Sequence, residues 1–311
     1  MRAVVFPEFG AAPEVREDLT LPEPAEGEVR VRVHAASVNG FDLAVANGYL
    51  NGMMEHRFPV VLGKDFAGTV DAVGAGVDGY AVGDRVFGVV AKAYLGDGSF
   101  GEFVTVPVAV GLAKLPESLS FTDGAALGLA GTAASHAVEA AQLQPGHTVL
   151  VAGATGGVGG YAVQLAAAAG ATVIATAHGE EEGARVTALG ATEVVDYTGD
   201  VTAQVRAAHP DGVAVVIHLA GDPAGVLPAV ALGGRFVSTL LGSPDQLPTD
   251  TVTVAPVYAN PTPAVLDRLA EGTVVGLVRV SVDAVFPLHE VAQALAHFTG
   301  GTKGKVVITV A

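Results

Sequence analysis

Two periodicities divide this chain. Val29, Val31 and Val33 alternate with Arg30, Arg32 and His34, the period-two pattern of a strand with one buried face. Similar short apolar runs at 2–6, 28–38, 68–73, 84–90 and 101–107, punctuated by Gly, Pro and Asp, predict an all-β region up to about residue 116, a partly closed barrel. From residue 120 to about 241 the pattern alternates instead: strand 148–152, helix 158–169, strand 172–177, helix 180–189, strand 193–195, helix 201–209, strand 213–219, helix 222–232 and strand 235–240. That order predicts an α/β fold with a doubly wound parallel sheet. The tail from 277 returns to strand, helix 288–299 and a last strand 305–310. It is too short to stand alone, so it is expected to rejoin the β-region and make that domain discontinuous. The expected division is 1–119 with 263–311 for the β-barrel domain, and 120–262 for the parallel sheet.

The first strand of the second region runs straight into glycines: His147-Thr-Val-Leu-Val-Ala-Gly-Ala-Thr-Gly-Gly-Val-Gly-Gly-Tyr161. The spacing assigns Gly153 to the tight strand-to-helix turn, Gly156 to close approach of a pyrophosphate, and Gly159 to packing of helix on strand. A helix opening near Gly157 would aim free N–H groups and its positive dipole end at phosphates. Candidate contacts are therefore Gly153, Ala154, Thr155, Gly156, Gly157, Val158 and Gly159. A plain glycine loop would not need a strand before it, a helix after it and a second strand beyond.

Composition narrows the partners. With 311 residues, half of them apolar, the chain can build two domains. The net charge of −16 is made of scattered acids, and no basic stripe occurs, so nucleic acid and anionic membrane are excluded as expected partners. The uncharged run 147–179 is long enough for a membrane span, but glycines break it and its character alternates. The N-terminus shows a strand and a Pro/Gly turn rather than a secretion signal, so a cytoplasmic protein is expected. There is no cysteine, which removes disulfides, thiolate metal sites and a cysteine nucleophile together.

Five segments then carry a resemblance. Ala36-Ser-Val-Asn-Gly-Phe-Asp42, Pro59-Val-Val-Leu-Gly-Lys-Asp-Phe-Ala-Gly-Thr-Val70, Gly83-Asp-Arg-Val-Phe87, residues 153–159 and Gly304-Lys-Val-Val-Ile308, in that order, resemble the medium-chain dehydrogenase/reductase superfamily. Within it the chain is most similar to the zinc-independent quinone oxidoreductases. The resemblance implies a GroES-like catalytic domain, an inserted Rossmann domain and a reduced nicotinamide cofactor. Zinc-dependent relatives hold their catalytic ion with a cysteine matching Asn39 and a histidine matching Lys64. Here an amide and a cation stand in their places, so no metal is expected.

Three side chains are candidates for polarising a substrate oxygen. Asn39 offers an amide donor, Tyr49 a phenol in a loop where related reductases place a tyrosine near substrate, and Lys64 a cation for an enolate or quinol anion. Each has a plain alternative: a turn residue, a half-buried packing tyrosine, a surface or paired lysine. Asp42 and Asp65 read as supporting partners, and His34, His56 and His218 as packing or surface residues.

For the cofactor, an acid closing the second strand would mark NAD, and Thr176-Ala177-His178 stand there instead. The reading is NADP(H), with NAD the alternative, and with His178, Arg185 and Tyr197 around a 2′-phosphate. Against this, Glu180, Glu181 and Glu182 follow at once, Glu182 matching a phosphate-binding lysine of many NADPH-dependent relatives. The resemblance adds Thr132, Leu219, Ala220, Gly221, Ser238, Thr239 and Leu240 as cofactor contacts. The expected activity is hydride transfer from NADPH to a quinone or another electron-poor α,β-unsaturated carbonyl, without zinc. The alternatives are a dedicated enoyl or enone reductase, and a non-catalytic NADPH-binding sensor or structural protein. A homodimer is expected through the edge-strand pattern of 249–256, where Val252 and Val254 alternate with threonines.

Overall fold

The structure, a computed structural model, describes residues 1–310. In chain order, strand β1 (Glu28–Ser37) leads into the short helix α1 (Gly40–Ala46), followed by β2 (Asp65–Val73), β3 (Arg85–Val89), β4 (Phe103–Pro107) and β5 (Leu112–Lys114). The long helix α2 (Phe121–Ala141) opens the second region. Then come β6 (Thr148–Ala152), α3 (Gly157–Ala168), β7 (Thr172–Thr176), α4 (Gly179–Ala188), β8 (Glu193–Val195), α5 (Val201–Ala208), β9 (Val213–His218), α6 (Pro223–Val226), β10 (Val230–Ser238) and β11 (Thr253–Pro256). Helix α7 (Pro263–Val274), β12 (Val282–Pro287), α8 (Val291–Thr299) and β13 (Lys305–Thr309) complete the chain.

Contacts gather these elements into two compact units. Unit 1 comprises residues 1–130, 261–275 and 282–311, and unit 2 residues 131–260 and 276–281. The first change between them thus falls inside α2 rather than at residue 120, because a helix apolar on all sides carries no internal stop. Segment 276–281 belongs to unit 2 because Gln164 of α3 clamps it, donating to Arg279 O at 3.1 Å and accepting from Arg279 N at 2.7 Å.

In unit 1 the tail does rejoin the β-region. Strand β1 pairs with β2 along one edge; its other edge is shared by β4, opposite residues 28–32, and by β13, opposite 35–37. One strand with three neighbours curls the sheet into a GroES-like barrel. Val29, Val31 and Val33 point inward with Phe66, Phe100 and Ile308, which is why the alternation was readable.

Unit 2 holds a six-stranded, wholly parallel sheet in the order β8-β7-β6-β9-β10-β11. This is the doubly wound order, with its switch point between β6 and β9. Leu150, Ile174, Val216 and Phe236 fill its core. The expected helix 222–232 is much shorter: α6 ends at Val226, a 3₁₀ turn covers Leu227–Ala229, and β10 already begins at Val230. Pro228 lacks the N–H that an α-helix would need there. Leu232, the last residue of the expected helix, lies in β10 and is 84% exposed.

Candidate functional site

The glycine turn is built as its spacing predicts. Gly153 takes φ +90°, a conformation that L side chains rarely adopt. A Cβ on Gly159 would collide with the Gly153 carbonyl and the Ala154 backbone, so the absence of a side chain lets α3 lie against the turn. Gly156 differs: a Cβ there would meet only Gly153 O, at 3.6 Å. The bare backbone of Gly156 is not forced by any neighbouring protein atom. It leaves room beside the start of α3, whose N-cap has no side-chain cap and whose first turn has no acid.

Thr176, at the end of β7, holds this turn in place. Its Oγ1 accepts the Gly153 and Ala154 N–H groups at 2.8 and 3.4 Å and donates to Val151 O at 3.3 Å. Sequence reasoning saw Thr176 only as a missing acid; the signal was a hydroxyl at the switch-point end of a buried strand. In front of the turn lies a cavity of about 540 Å³ lined among others by Gly153, Thr155, Thr176, Tyr197, Asp200 and Gly221. Ala154 is buried, Gly157 and Val158 start α3, and Ala220 packs close behind Gly153. Thr132 is buried in α2.

The carboxyl ends of β9 and β10 are tied by His218. Its Nε2 lies 3.1 Å from Gly221 O and its Nδ1 2.9 Å from Ser238 Oγ. A carbonyl accepts only, so Nε2 carries the proton and Nδ1 accepts from the serine hydroxyl. Ser238 Oγ in turn accepts from Leu240 N at 3.1 Å. Burial lowers the His218 pKa, keeping the ring neutral as this network requires. His218 is therefore a packing residue that shapes the 219–221 and 238–240 loops; Leu219 N and Thr239 N bond back to Ala152 O and His218 O.

The residues expected around a 2′-phosphate are only partly brought together. The His178 and Tyr197 rings lie 6.0 Å apart. His178 Nδ1 is 3.1 Å from both carboxylate oxygens of Asp196, its backbone N–H donates to Glu182 at 2.8 Å, and Tyr197 OH donates to Glu182 at 3.5 Å. Asp196, which also accepts from Thr198 N–H and Oγ, titrates below the usual carboxylate range, the Thr198 bonds being the main cause. Arg185 lies in the last turn of α4 and makes no hydrogen bond to these groups among the described residues.

In unit 1 the segments containing Asn39 and Lys64 meet in a buried polar network. Asn39 Nδ2 donates to Asp65 Oδ2 at 2.9 Å and to Ser37 O at 3.3 Å, while its Oδ1 accepts from Lys305 Nζ at 2.6 Å. Both amide hydrogens are thus spent inside the protein, so Asn39 braces the segment rather than offering the free donor expected of it. Lys305 also reaches Val38 O at 3.0 Å and Asp65 Oδ2 at 3.3 Å, using all three of its hydrogens. Asp65 accepts further bonds from Ser37 Oγ at 2.6 Å and Leu129 N at 2.6 Å. Sequence reasoning passed over Lys305, although a lysine heading the apolar run Val306-Val-Ile308 was a signal: it is 4% exposed.

Asp42 caps α1, accepting from Asn39 N at 2.8 Å and Gly63 N at 3.2 Å. Burial pushes its carboxyl up to about 7, with Asp65 adding to the rise and the Asn39 N–H, Lys305 and Lys64 opposing it. Lys64 lies over the Phe41 ring at 5.1 Å. Burial lowers its pKa against the pull of Asp42 and Asp65. Tyr49 is 75% exposed on the loop after α1, not packed as its plain alternative required. Among the described residues no three His, Asp or Glu side chains could hold a metal. A zinc ion does not fit at 39 and 64 either, since Asn39 Oδ1 is held by an ammonium and Lys64 is itself a cation.

Comparison with known proteins decides the family. Residues 25–117 match the alcohol dehydrogenase GroES-like domain, and 157–260 the family named zinc-binding dehydrogenase. The quinone oxidoreductase of Sus scrofa is 33% identical, over 99% of this chain and 97% of that protein. The chain belongs to the medium-chain dehydrogenase/reductase superfamily. It is an oxidoreductase of the quinone oxidoreductase-like group. Among solved structures, a NAD-dependent alcohol dehydrogenase superposes with TM-score 0.87 at 32% identity, covering 100% of both chains. A mycobacterial protein solved with NADPH gives 0.86 at 26% identity, covering 99% of this chain and 100% of the other. No helix among the described residues is long and apolar enough to cross a membrane.

Proposed function

We propose that this oxidoreductase takes hydride from NADPH and gives it to a quinone or another electron-poor α,β-unsaturated carbonyl, without zinc. The observation that carries the reading is the turn at Gly153–Gly159 facing the cavity of about 540 Å³, with Gly156 bare where no protein atom requires it. Gly156 would admit the pyrophosphate, and the uncapped amides at the start of α3 would bind it. The names of the quinone oxidoreductase relatives and the NADPH complex of the mycobacterial neighbour support this, as does the lack of an acid within β7's last residues.

When bound, the reduced nicotinamide supplies the hydride. Hydride addition at the electron-poor carbon moves the π electrons onto the acceptor's oxygen, which must then be stabilised and protonated. Lys64, a cation with a lowered pKa, is suited to both tasks, and the exposed Tyr49 hydroxyl is a second donor. Asp42 contributes by holding Gly63, the residue before Lys64. The pair Asp65–Lys305 fixes Asn39 and leaves it no part in donation.

We further propose a homodimer through β11, the edge strand of the parallel sheet. The decisive experiment follows NADPH oxidation in strong chelator against a panel of quinones and enones, with elemental analysis of the same preparation. Acceptor-dependent oxidation with no zinc is expected. One zinc per chain, or binding of NADPH with no acceptor able to oxidise it, would overturn the reading. Light scattering tests the dimer, which a concentration-independent monomer mass would exclude.

A further inference from the structure

Strand β4 places its side chains alternately inside and outside the barrel of unit 1. Val104 and Val106 belong to the core, so Phe103 and Thr105 lie on the outer face. Thr105 is nevertheless only 2% exposed. Segment 92–97 covers it: Lys92 Nζ donates to Thr105 Oγ1 at 2.6 Å and to Asp97 Oδ2 at 2.9 Å, and Tyr94 OH donates to the same Asp97 oxygen at 2.5 Å. Among the described residues, two hydrogen-bonding groups of this cluster stay unspent. The Thr105 hydroxyl accepts from Lys92 but donates its own hydrogen to no protein group, and Asp97 Oδ1 accepts from none. A buried hydroxyl whose hydrogen finds no acceptor is costly. Both residues line a cavity of about 210 Å³, whose other walls include Pro22, Pro59, Val61 and Phe103. It lies wholly in unit 1 and shares no residue with the cavity before the glycine turn.

The two unspent groups narrow the occupant. Thr105 Oγ1 and Asp97 Oδ2 bond the same ammonium, so the two residues are close enough for one oxygen atom to reach both. That oxygen must accept from the Thr105 hydroxyl and donate to the Asp97 carboxylate, as a hydroxyl does. A carbonyl or ether oxygen only accepts, and an anion is repelled by Asp97. An ammonium has no lone pair for Thr105, and Lys92 and Arg57 already bring positive charge to Asp97. The apolar walls suit a hydrocarbon body. Its size follows from the volume: a dry cavity of about 150 Å³ holds benzene, so this one fits a single ring with its hydroxyl. A phenolic hydroxyl, with a pKa of about 10, is neutral at pH 7 and donates to a carboxylate more strongly than an aliphatic alcohol.

We propose that this cavity is a binding site for a monocyclic phenol, its hydroxyl bridging Thr105 and Asp97 and its ring against Pro22, Pro59 and Phe103. The site itself does not rest on the nicotinamide reading; one consequence does. A hydroquinone product is a phenol, whereas its quinone carries only carbonyl acceptors, so the cavity selects the reduced member of the pair.

The test is a titration of the whole protein, carrying isotope-labelled valine methyl groups, with phenol, anisole and benzylamine at pH 7. Phenol should shift the Val61 methyl signals saturably, with a dissociation constant on the order of 1 mM, which a ligand of this size can reach. Anisole keeps the ring and loses the donor, so it should bind roughly tenfold more weakly. Thr105→Val keeps the shape and removes the hydroxyl; it should weaken phenol by roughly tenfold and leave anisole unchanged. Anisole binding as tightly as phenol, benzylamine binding more tightly, or phenol affinity unchanged in Thr105→Val would overturn the inference. So would the absence of saturable phenol binding well above that concentration, which would mean that the cavity holds water only. The ligand comparison uses the unmodified protein and stands even where the variant does not fold. Phenol binding with no binding of NADPH would overturn the nicotinamide reading and leave this site in place.

Discussion

The molecule contains two hydrogen-bonding constellations that differ in construction. At the glycine turn, donors are left over: the start of α3 has no side-chain cap, and Gly156 gives up a side chain that no protein neighbour forbids. Around Asp65 nothing is left over. Three donors converge on Oδ2, a backbone N–H takes Oδ1, and Lys305 and Asn39 spend every hydrogen they have. Unmet hydrogen-bonding capacity beside a cavity is the mark of a surface built for a ligand, because a buried group cannot be left unsatisfied without a cost. Fully met capacity marks a brace. On the proposed function, the side chains of unit 1 to test for chemistry are therefore Lys64 and Tyr49 rather than those of its most polar point.

The largest effect should come from breaking the brace. Lys305→Met keeps the length of the side chain and removes its charge, leaving Asp65 buried without its cation. Removing one partner of a buried pair costs about 3–5 kcal/mol, so thermal unfolding should begin on the order of 10 °C lower. A loss below about 1 kcal/mol would show that the network is not holding unit 1 together.

The glycine turn should behave in the reverse way, losing function while keeping stability. Gly156→Val places a side chain in open space and in an unstrained conformation, at φ −74°. Cofactor affinity should fall by roughly a hundredfold or more with little change in melting temperature, since the side chain takes the space a pyrophosphate needs. Gly159→Ala should do the opposite of leaving the fold alone. Its Cβ would strike the Gly153 backbone, so α3 must move and stability should drop by roughly 1–3 kcal/mol. If the Gly156 variant melts early, the turn is a structural loop and the contrast fails.

The same contrast explains what the sequence made legible. The turn, with β6, α3 and β7, is local: about thirty residues contain its strand, its glycines and its helix, and their spacing encodes the geometry. The tail's return was legible as well, because a strand and one helix cannot bury an apolar face alone. The brace was not legible. It joins residues 37–42, 63–65, 99, 129 and 305, which approach only once β13 lies against β1. No period or motif spans such separations, so Asn39 looked like a free donor and Lys305 like a strand residue. The misjudged helix 222–232 has a smaller cause, a run of apolar residues around Pro228 and Gly233-Gly234 that is apolar for the sheet and not for a helix face.

Asp42 lets the brace be probed by pH. Its carboxyl is raised from the model-peptide range to about 7 in the folded chain. Between those values the folded state holds a proton that the unfolded chain has released. Stability from this group is therefore present at acidic pH and is lost as pH rises toward 7, by no more than about 1.4 kcal/mol per pH unit. Urea midpoints between pH 4.5 and 7.5 should decline in the parent, and Asp42→Asn should remove most of that decline while costing roughly 1–3 kcal/mol for the unsatisfied N–H it leaves. An unchanged slope in the variant would assign the pH dependence elsewhere.

The smallest effect is expected at Tyr49, and it decides where unit 1 keeps its reactive edge. With Asn39 committed to Asp65 and Ser37, the proposed function leaves Lys64 and the Tyr49 hydroxyl as its candidate donors for a developing oxyanion. The two are not equal. Lys64 is half-buried over the Phe41 ring, and burial lowers its pKa, whereas Tyr49 is 75% exposed and its hydroxyl competes with water. Donors in dry, fixed sites are worth a hundredfold or more; an exposed one should give about tenfold. Tyr49→Phe should accordingly lower acceptor-dependent turnover about tenfold and leave cofactor affinity unchanged, while Lys64→Met should lower it by roughly a hundredfold. Single-turnover measurement of cofactor oxidation on both variants, with dissociation constants measured in parallel, separates chemistry from binding. A Tyr49 variant of full activity would confine the donor role to Lys64. Equal and full activity in both would mean that the oxyanion is stabilised by neither, and that unit 1 contributes only the brace.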